Sequence, residues 1–576
     1  MIDYSAKRKH LQSIGEVPMW YTTAGQQLFD EKYAWQGETV KHRFQAVAKA
    51  LAQYAPSVYP EWWESDSYTT GRTWEEVFFA TMWDGFVSPS TPLLANGGLR
   101  KRGTTVSCAG GYMPNSLAAR YTILAEAAVL TKHSHGTSYS IGDWPHEGAP
   151  LKRGGRSNGI LPVIRDLVQC MNEVVQGSRR GSLAYSLPIT HGDFRAVLQN
   201  LYENPESNNV GWLLDDAFEA HVNAGTSDAM ERLAATLSVK MPRGKGYYTF
   251  IDKLNRKLSP VFKHWGMTTK ASNLCQEVNL PSDELHTFSC VILNLNLELY
   301  KSWPAHLAFI AHVMSDCNIT EYLQTIDELS PEDQEALAKI YRFTKRFRAI
   351  GNGVLGFHTL LQRERIVVGS LDSFLLNHEI FSGMQKEAQA ANLWLGEVLG
   401  CPEGCAPFGW RNATTMMMPP TKSTAELMAG ASEGIGLDTA MAFIKQSAGG
   451  EFFRINKVLL EIMKERGVYN DAEVAKIARE RTVKNCAWLT EHEKQVFRTA
   501  FEIPMDAYLD LCAQRQEFID QGQSINLYFT DQDSPEYIMK IMLKAIRDPN
   551  ILAIYYFYSM RSTGEVARVI DCAVCQ

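Results

Sequence analysis

The chain has 576 residues, a formal net charge of -7 at pH 7, 45% apolar residues and 13 Trp, with a pI near 6.1. It is too long for one ordinary domain unless that domain is a large barrel. Its composition supports a big core and excludes wholesale disorder, and its acidic balance excludes a general nucleic-acid binder, which needs a concentrated basic face. The local basic spots, Lys345-Arg346-Phe347-Arg348 and Arg179-Arg180, read as solvated helix faces or single phosphate contacts.

Residues 1–87 read as a helical, aromatic-rich N-terminal region, with Phe29, Tyr33, Trp35, Tyr54, Trp62 and Trp63 as core. No apolar run follows Lys7, Arg8, Lys9 and His10, so this is not a signal peptide. No stretch reaches the roughly 18 uncharged apolar residues of a membrane span. Eleven cysteines, odd in number and scattered, fit a reducing cytoplasm in which thiols are available for chemistry.

A helical pattern from Trp74 to Gly85 leads into Ser88-Pro89-Ser90-Thr91-Pro92-Leu93-Leu94, which has too much proline for helix and reads as a loop. Thr104 to Cys108 reads as a short strand. Gly110 and Gly111 after it invite the close approach of another segment. Helices are expected over about 116–133 and 161–175, with a glycine-bearing loop between them, and a strand over 182–187. The polar run 203–209 forms a turn.

Ser272-Asn273-Leu274-Cys275-Gln276-Glu277 then places an amide, a thiol and a carboxylate at alternate positions. In an extended segment all three side chains face the same way; in a helix only Asn273 and Glu277 do. A carboxylate with an ordinary pKa of about 4.3 is ionised at pH 7 and fit to accept a proton. Cys290 to Leu295 is an apolar run of strand length. Helices are expected over 302–345, 352–366 and 374–398. Met416 to Met418 reads as a strand, followed by a sharp loop and a helix from about Ala425, whose hydroxyls and free N–H groups suit an anion. Ile525 to Phe529 and Ile551 to Tyr558 read as strands. The tail ends Cys572-Ala-Val-Cys575, a dithiol that can exchange with a disulfide elsewhere; with no second cysteine pair nearby it cannot complete a zinc site. Strands alternating with helices over most of the chain point to an α/β barrel or a doubly wound sheet.

In order along the chain, Ser107-Cys108, Asn273-Leu274-Cys275-Gln276-Glu277, Cys290, Pro420-Thr421-Lys422-Ser423-Thr424, Tyr555-Tyr556 and the tail cysteines resemble the large catalytic subunit of ribonucleotide reductase. The resemblance runs from about Ser88 to Gln576 and is closest to class I. It implies an α/β fold: a ten-stranded α/β barrel over 88–561 with a central finger loop, preceded by the helical region and followed by a redox tail at 562–576. It implies that Cys275 becomes a thiyl radical and takes the 3′ hydrogen of a ribonucleotide, most naturally a diphosphate. Glu277 would remove the 3′-hydroxyl proton and Asn273 would hold the sugar hydroxyls. Cys108 and Cys290 would end as a disulfide, reduced in turn by Cys572/Cys575. Pro420, Thr421, Lys422, Ser423 and Thr424 would hold the phosphates, with Ser90, Thr91 and Ser107 lining the site.

The resemblance also implies partners. The chain lacks the Glu-x-x-His pairs of the di-metal helices, so no metal is expected here. The radical would come from a metal-containing small (beta) subunit through Tyr555 and Tyr556, and thioredoxin or glutaredoxin would reduce the tail. A homodimer is implied, with an effector nucleotide (dNTP or ATP) at a specificity site formed by loops 142–155 and 203–209. Nothing in 1–87 resembles the family's N-terminal ATP cone, so overall activity control by ATP is not expected. Two alternatives remain open. One is an adenosylcobalamin-dependent reductase, which would not need the tyrosine pair. The other is a non-catalytic nucleotide-binding regulatory or thiol redox subunit, which would not need Cys275.

Overall fold

A computed structural model describes residues 2–176, 179–206, 208–447 and 450–561; Cys572 and Cys575 lie outside the described residues. The N-terminal region is helical, as expected. Its helices Tyr4–Ser13, Thr23–Lys32, Val40–Ala52 and Trp74–Trp83 are each opened by a side-chain cap, from Asp3, Thr22, Thr39 and Thr73. Such caps satisfy N–H groups that the helix itself leaves open, at about 1 kcal/mol each. The third helix buries Val40, Phe44, Val47 and Leu51, the i, i+4, i+7 spacing of one face.

Behind these helices stand two sheets that together hold ten strands, of seven and three. Five strands of the larger sheet run parallel in chain order: Cys108–Tyr112, Gly136–Ser140, Leu183–Pro188, Val210–Leu214 and Tyr247–Phe250. Each crossover carries at least one helix, as a parallel pair requires. Antiparallel strands flank them, Phe288–Cys290 at one edge and Ala553–Ile554 at the other. The smaller sheet joins Val87–Pro89, Ile292–Asn296 and Gly351–Leu355. It is continued by isolated bridges from Asn352 to Met416 and from Met418 to Gln523. The two sheets curl around segment 271–282, every residue of which is buried.

Several local expectations change. Ser88 and Pro89 lie in a strand, and Thr91–Asn96 is a short helix with Pro92 in its first turn, where the missing N–H costs nothing. The strand near Cys108 begins there rather than ending there. The expected strand Cys290 to Leu295 divides at Val291, where the chain leaves the larger sheet for the smaller. The helix expected over 352–366 begins only at Phe357, and 351–355 is a strand, since both its glycines accept close neighbours: a Cβ on Gly353 would lie 2.4 Å from Pro419 Cδ. The run Ile551 to Tyr558 also divides, into Ala553–Ile554 and Phe557–Met560, leaving Tyr555 and Tyr556 in the gap between two pairings. The helix after Pro420 starts at Lys422 and is six residues long.

Candidate active site

Segment 271–282 enters the space between the sheets, turns and leaves. The turn closes with Gln276 N donating to Asn273 O at 3.1 Å, and Gln276 takes a positive φ of 71°. A non-glycine residue there is uncommon and marks a conformation imposed by its surroundings. Those surroundings are specific. Thr249 Oγ1 donates to Gln276 Oε1 at 2.5 Å, Ser138 Oγ to Ser272 O at 2.9 Å, and Ser524 Oγ to Cys275 O at 2.6 Å. The larger sheet therefore holds one side of the loop, and segment 521–524 holds the other.

The tight turn brings Asn273 and Glu277 together, with Asn273 Nδ2 donating to Glu277 Oε1 at 2.9 Å. Ser524 Oγ also lies 3.0 Å from Glu277 Oε2. Both partners are neutral. Burial, the largest effect, and charge on the neighbouring Cys108 sulfur push the Glu277 carboxyl up to about 8, while hydrogen bonds from its own backbone N–H, Asn273 and Ser524 pull only part of the way back. This corrects the expectation of an ionised carboxylate at pH 7: at rest Glu277 is largely protonated. A group poised near 8 sits close to the working range of a general acid–base catalyst.

Cys275 is 0% exposed and belongs to a small cluster with Leu274, Ala184 and three tyrosines. Tyr555 Oη donates to its Sγ at 3.5 Å. The Tyr555 and Tyr556 rings are 3.9 Å apart. Tyr247 caps both, with ring centres at 4.9 Å and 5.6 Å and its hydroxyl 3.5 Å from that of Tyr556. Lys240, fully buried, donates to the carbonyls of Gly246 and Tyr555, tying the strand that bears Tyr247 to the segment that bears the pair.

Cys108 lies at the start of the first parallel strand, directly opposite Cys290 in the antiparallel register. Phe288, two residues before Cys290, fills the space over Gly110, where an added Cβ would come within 2.0 Å of the ring. The glycines after Cys108 thus admit the neighbouring strand, as their presence predicts.

A narrow cleft opens beside Glu277 and Cys108, with about 370 Å³ of space in all. Its walls include the expected Ser90, Thr91, Ser107, Pro420 and Thr424. They also include Pro92, Ile292, Asn294 and Pro419, which sequence reasoning missed. Buried Ser90 Oγ and Asn294 Oδ1 have no hydrogen-bond partner among the described residues, which leaves two polar atoms on this wall to be satisfied from the cleft. An asparagine inside the apolar run Ile292 to Leu295 was the available signal. Thr421 Oγ1 instead accepts from Gly434 N at 2.7 Å, Ser423 Oγ accepts from Lys32 Nζ at 3.3 Å, and Lys422 is exposed. Tyr33 Oη meets Thr91 Oγ1 at 3.1 Å, so the N-terminal helices also reach the rim. Cys275 and Asn273 are fully buried beside Glu277 in the sequence and are not among the residues that line the cleft.

The expected specificity loops lie apart from the cleft. Segment 142–155 contains the strand Glu147–Pro150, paired with Arg156–Asn158. In the other, Asn208 accepts from Tyr185 Oη at 3.0 Å and Lys245 Nζ donates to Pro205 O at 2.6 Å. Asn209 Oδ1 is 3.2 Å from Tyr247 Oη, linking this loop to the tyrosines. Among the described residues no group of three or more His, Cys, Asp or Glu side chains could hold a metal ion, and no helix is long and apolar enough to cross a membrane.

A barrel that gives its centre to a thiol and a perturbed carboxyl, beside a cleft with unpartnered polar atoms, is laid out as an enzyme. Family models identify which kind. "Ribonucleotide reductase, all-alpha domain" matches residues 19–102 and "Ribonucleotide reductase, barrel domain" matches 199–404 and 400–557. The chain belongs to the ribonucleotide reductase family and is an oxidoreductase. It is 26% identical over 589 residues to the ribonucleoside-diphosphate reductase large subunit of Invertebrate iridescent virus 3, covering 85% of this chain and 90% of that one. It is also 26% identical over 466 residues to a vitamin B12-dependent ribonucleoside-diphosphate reductase of Thermoplasma acidophilum, covering 76% and 59%. Among solved structures, the Actinobacillus ureae class Id ribonucleotide reductase alpha subunit superposes with a TM-score of 0.84 at 26% identity, covering 94% of this chain and 98% of that one.

Proposed function

We propose that this chain reduces ribonucleoside diphosphates by radical chemistry begun at Cys275. The observation that carries the reading is the contact from Tyr555 Oη to Cys275 Sγ, with the Tyr556 ring behind it, tilted by 41° at 3.9 Å. Tyr556, Tyr555 and Cys275 form a line along which one electron and one proton pass at each step, ending with a sulfur-centred radical beside the cleft. Cys275 takes the 3′ hydrogen of the sugar. Glu277, deprotonated in the working state, removes the 3′-hydroxyl proton, and Asn273 orients the hydroxyls.

Cys108 and Cys290 give up two electrons and two protons and join as a disulfide: one proton leaves with the 2′-hydroxyl as water, and the other, with the two electrons, forms the new C2′–H bond. Directly opposed residues of an antiparallel pair have α-carbons about 4.5–5.5 Å apart, inside the roughly 4.4–6.8 Å that a disulfide takes. Their register therefore supports this role. Cys572 and Cys575 regenerate the thiols by exchange, with thioredoxin or glutaredoxin as the external reductant. The helix start at Pro420 to Thr424, with Lys32 nearby, receives the phosphates, and Ser90, Thr91, Ser107 and Asn294 line the sugar side. The radical is supplied by a metal-bearing small subunit. The chain works as a cytoplasmic homodimer with an effector nucleotide at loops 142–155 and 203–209.

The vitamin B12-dependent relative makes the competing reading concrete: adenosylcobalamin would form the radical without the tyrosines. The test is deoxycytidine diphosphate formation from CDP with dithiothreitol, using either a metal-loaded small subunit or adenosylcobalamin. Turnover with the small subunit, abolished in Tyr555→Phe and Tyr556→Phe, supports the proposal. Turnover with the cobalamin alone, unaffected by those changes, overturns it.

A further inference from the structure

The tyrosine pair is sealed from solvent. Tyr555 is 2% exposed and Tyr556 3%, so neither ring offers an edge to a docking protein. Two residues beyond Tyr556, Tyr558 is only half-buried, yet it packs against the same cluster as Cys275, Tyr555 and Tyr556. Its ring centre lies 6.2 Å from that of Tyr556, edge to face at 71°. The ring is held from behind by Tyr528, stacked at 5.2 Å and 14°, its register partner in the parallel pair of Leu527–Thr530 with Phe557–Met560. Tyr528 is itself 5% exposed. The aromatic line from the sulfur thus continues Tyr555, Tyr556, Tyr558 and meets the surface at Tyr558.

We propose that Tyr558 is a third relay tyrosine, the station at which the radical enters this chain. This rests on the reading that Cys275 is oxidised through Tyr555 and Tyr556. The oxidant is the radical of the small subunit, which takes one electron and one proton from the Tyr558 O–H and is thereby reduced. The Tyr558 oxyl takes a hydrogen from Tyr556 in the same way, Tyr556 from Tyr555, and Tyr555 from the Cys275 S–H. At each step one X–H bond breaks and one forms, so the radical moves inward with no net change in protons or electrons. After product forms, the sequence runs backwards.

A purely structural Tyr558 would act through its ring, stacked on Tyr528. Phenylalanine keeps that ring and removes only the O–H, so Tyr558→Phe separates the two roles. The full chain is assayed with a small subunit that supports wild-type turnover, with thermal stability and the small-subunit concentration dependence measured alongside. Turnover is expected to fall about 100-fold, while stability and docking stay unchanged. In parallel, 3-aminotyrosine, which oxidises more readily than tyrosine, is placed singly at 555, 556 and 558, and radical signals are recorded by electron paramagnetic resonance after mixing with CDP. A trapped radical at all three positions is expected. Turnover of Tyr558→Phe within twofold of wild type overturns the proposal, as does trapping at 555 and 556 but not at 558. Failure to trap at any position overturns the underlying relay reading together with it, so the two failures are distinct.

Discussion

Glu277 and Asp316 are both carboxyls with 1% exposure, yet burial leads them to opposite states. At Asp316 burial would raise the proton affinity, but the Arg348 and Arg411 guanidinium groups, with Asn412, hold the carboxyl well below its usual range. Arg348 Nε lies 2.7 Å and Arg411 Nε 3.2 Å from its oxygens. Glu277 has no cationic partner to set against burial and the Cys108 sulfur, only hydrogen bonds from its own backbone, an amide and a hydroxyl, so burial wins and it rests near 8. The first carboxylate fastens a helix, Leu307–Asp327, to the loops carrying its arginines. The second is left able to gain and lose a proton. Partners, not depth, decide whether a buried carboxyl is fixed in its charged form or left able to exchange its proton.

This contrast can be broken by substitution. The largest effect is expected for Glu277→Gln, with turnover falling roughly 10²–10⁴-fold, the span of a lost general base. CDP reduction at saturating small subunit checks it. Asp316→Ala should instead act on the fold: two arginines lose their buried counter-charge, costing about 3–5 kcal/mol, seen as a lower Tm. The pH dependence sharpens the same point. Reduction by the wild type should rise with pH until Glu277 is ionised in the folded chain, at about 8, and the residual activity of Glu277→Gln should lack that rise.

Stability should move the other way. Glu277 has a folded-state pKa above its unfolded value, so its contribution is full below pH 4.5 and is lost as pH rises through about 8. Glu277→Gln should therefore flatten the fall in Tm between those limits, measurable by calorimetry. Ser524→Ala is the gentlest change. It removes a donor that favours the charged form, so the activity midpoint should shift to higher pH, with roughly a tenfold loss at pH 7.

Much of the candidate site could be read in the sequence because the chemistry proposed for it is carried by short strings. The amide, thiol and carboxyl of 273–277, the cysteines at 108 and 290 and the paired tyrosines all fall within or beside the central loop and cleft. The shape of the loop could not be read. Alternate positions in an extended segment would also have aligned Asn273 and Glu277, and only the contacts of Gln276 with Thr249 and Asn273 reveal a tight turn. The protonation of Glu277 was equally hidden, because burial is a property of the closed barrel. Ser524, Lys32 and Tyr33 arrive from distant parts of the chain, and no local pattern announces them. Strand breaks at Val291 and at Tyr555-Tyr556 escaped for a related reason: an apolar run looks the same whether it serves one sheet or passes between two.

If the Cys275 sulfur starts the reaction on the sugar, a single turnover without reductant will show it, comparing wild type with Cys275→Ser in the presence of CDP and the radical-bearing small subunit. The wild type should release deoxycytidine diphosphate and yield a Cys108–Cys290 disulfide peptide on digestion, whereas Cys275→Ser should remain folded and give neither. Deoxynucleotide formed by Cys275→Ser at the wild-type rate would rule out that role for the sulfur.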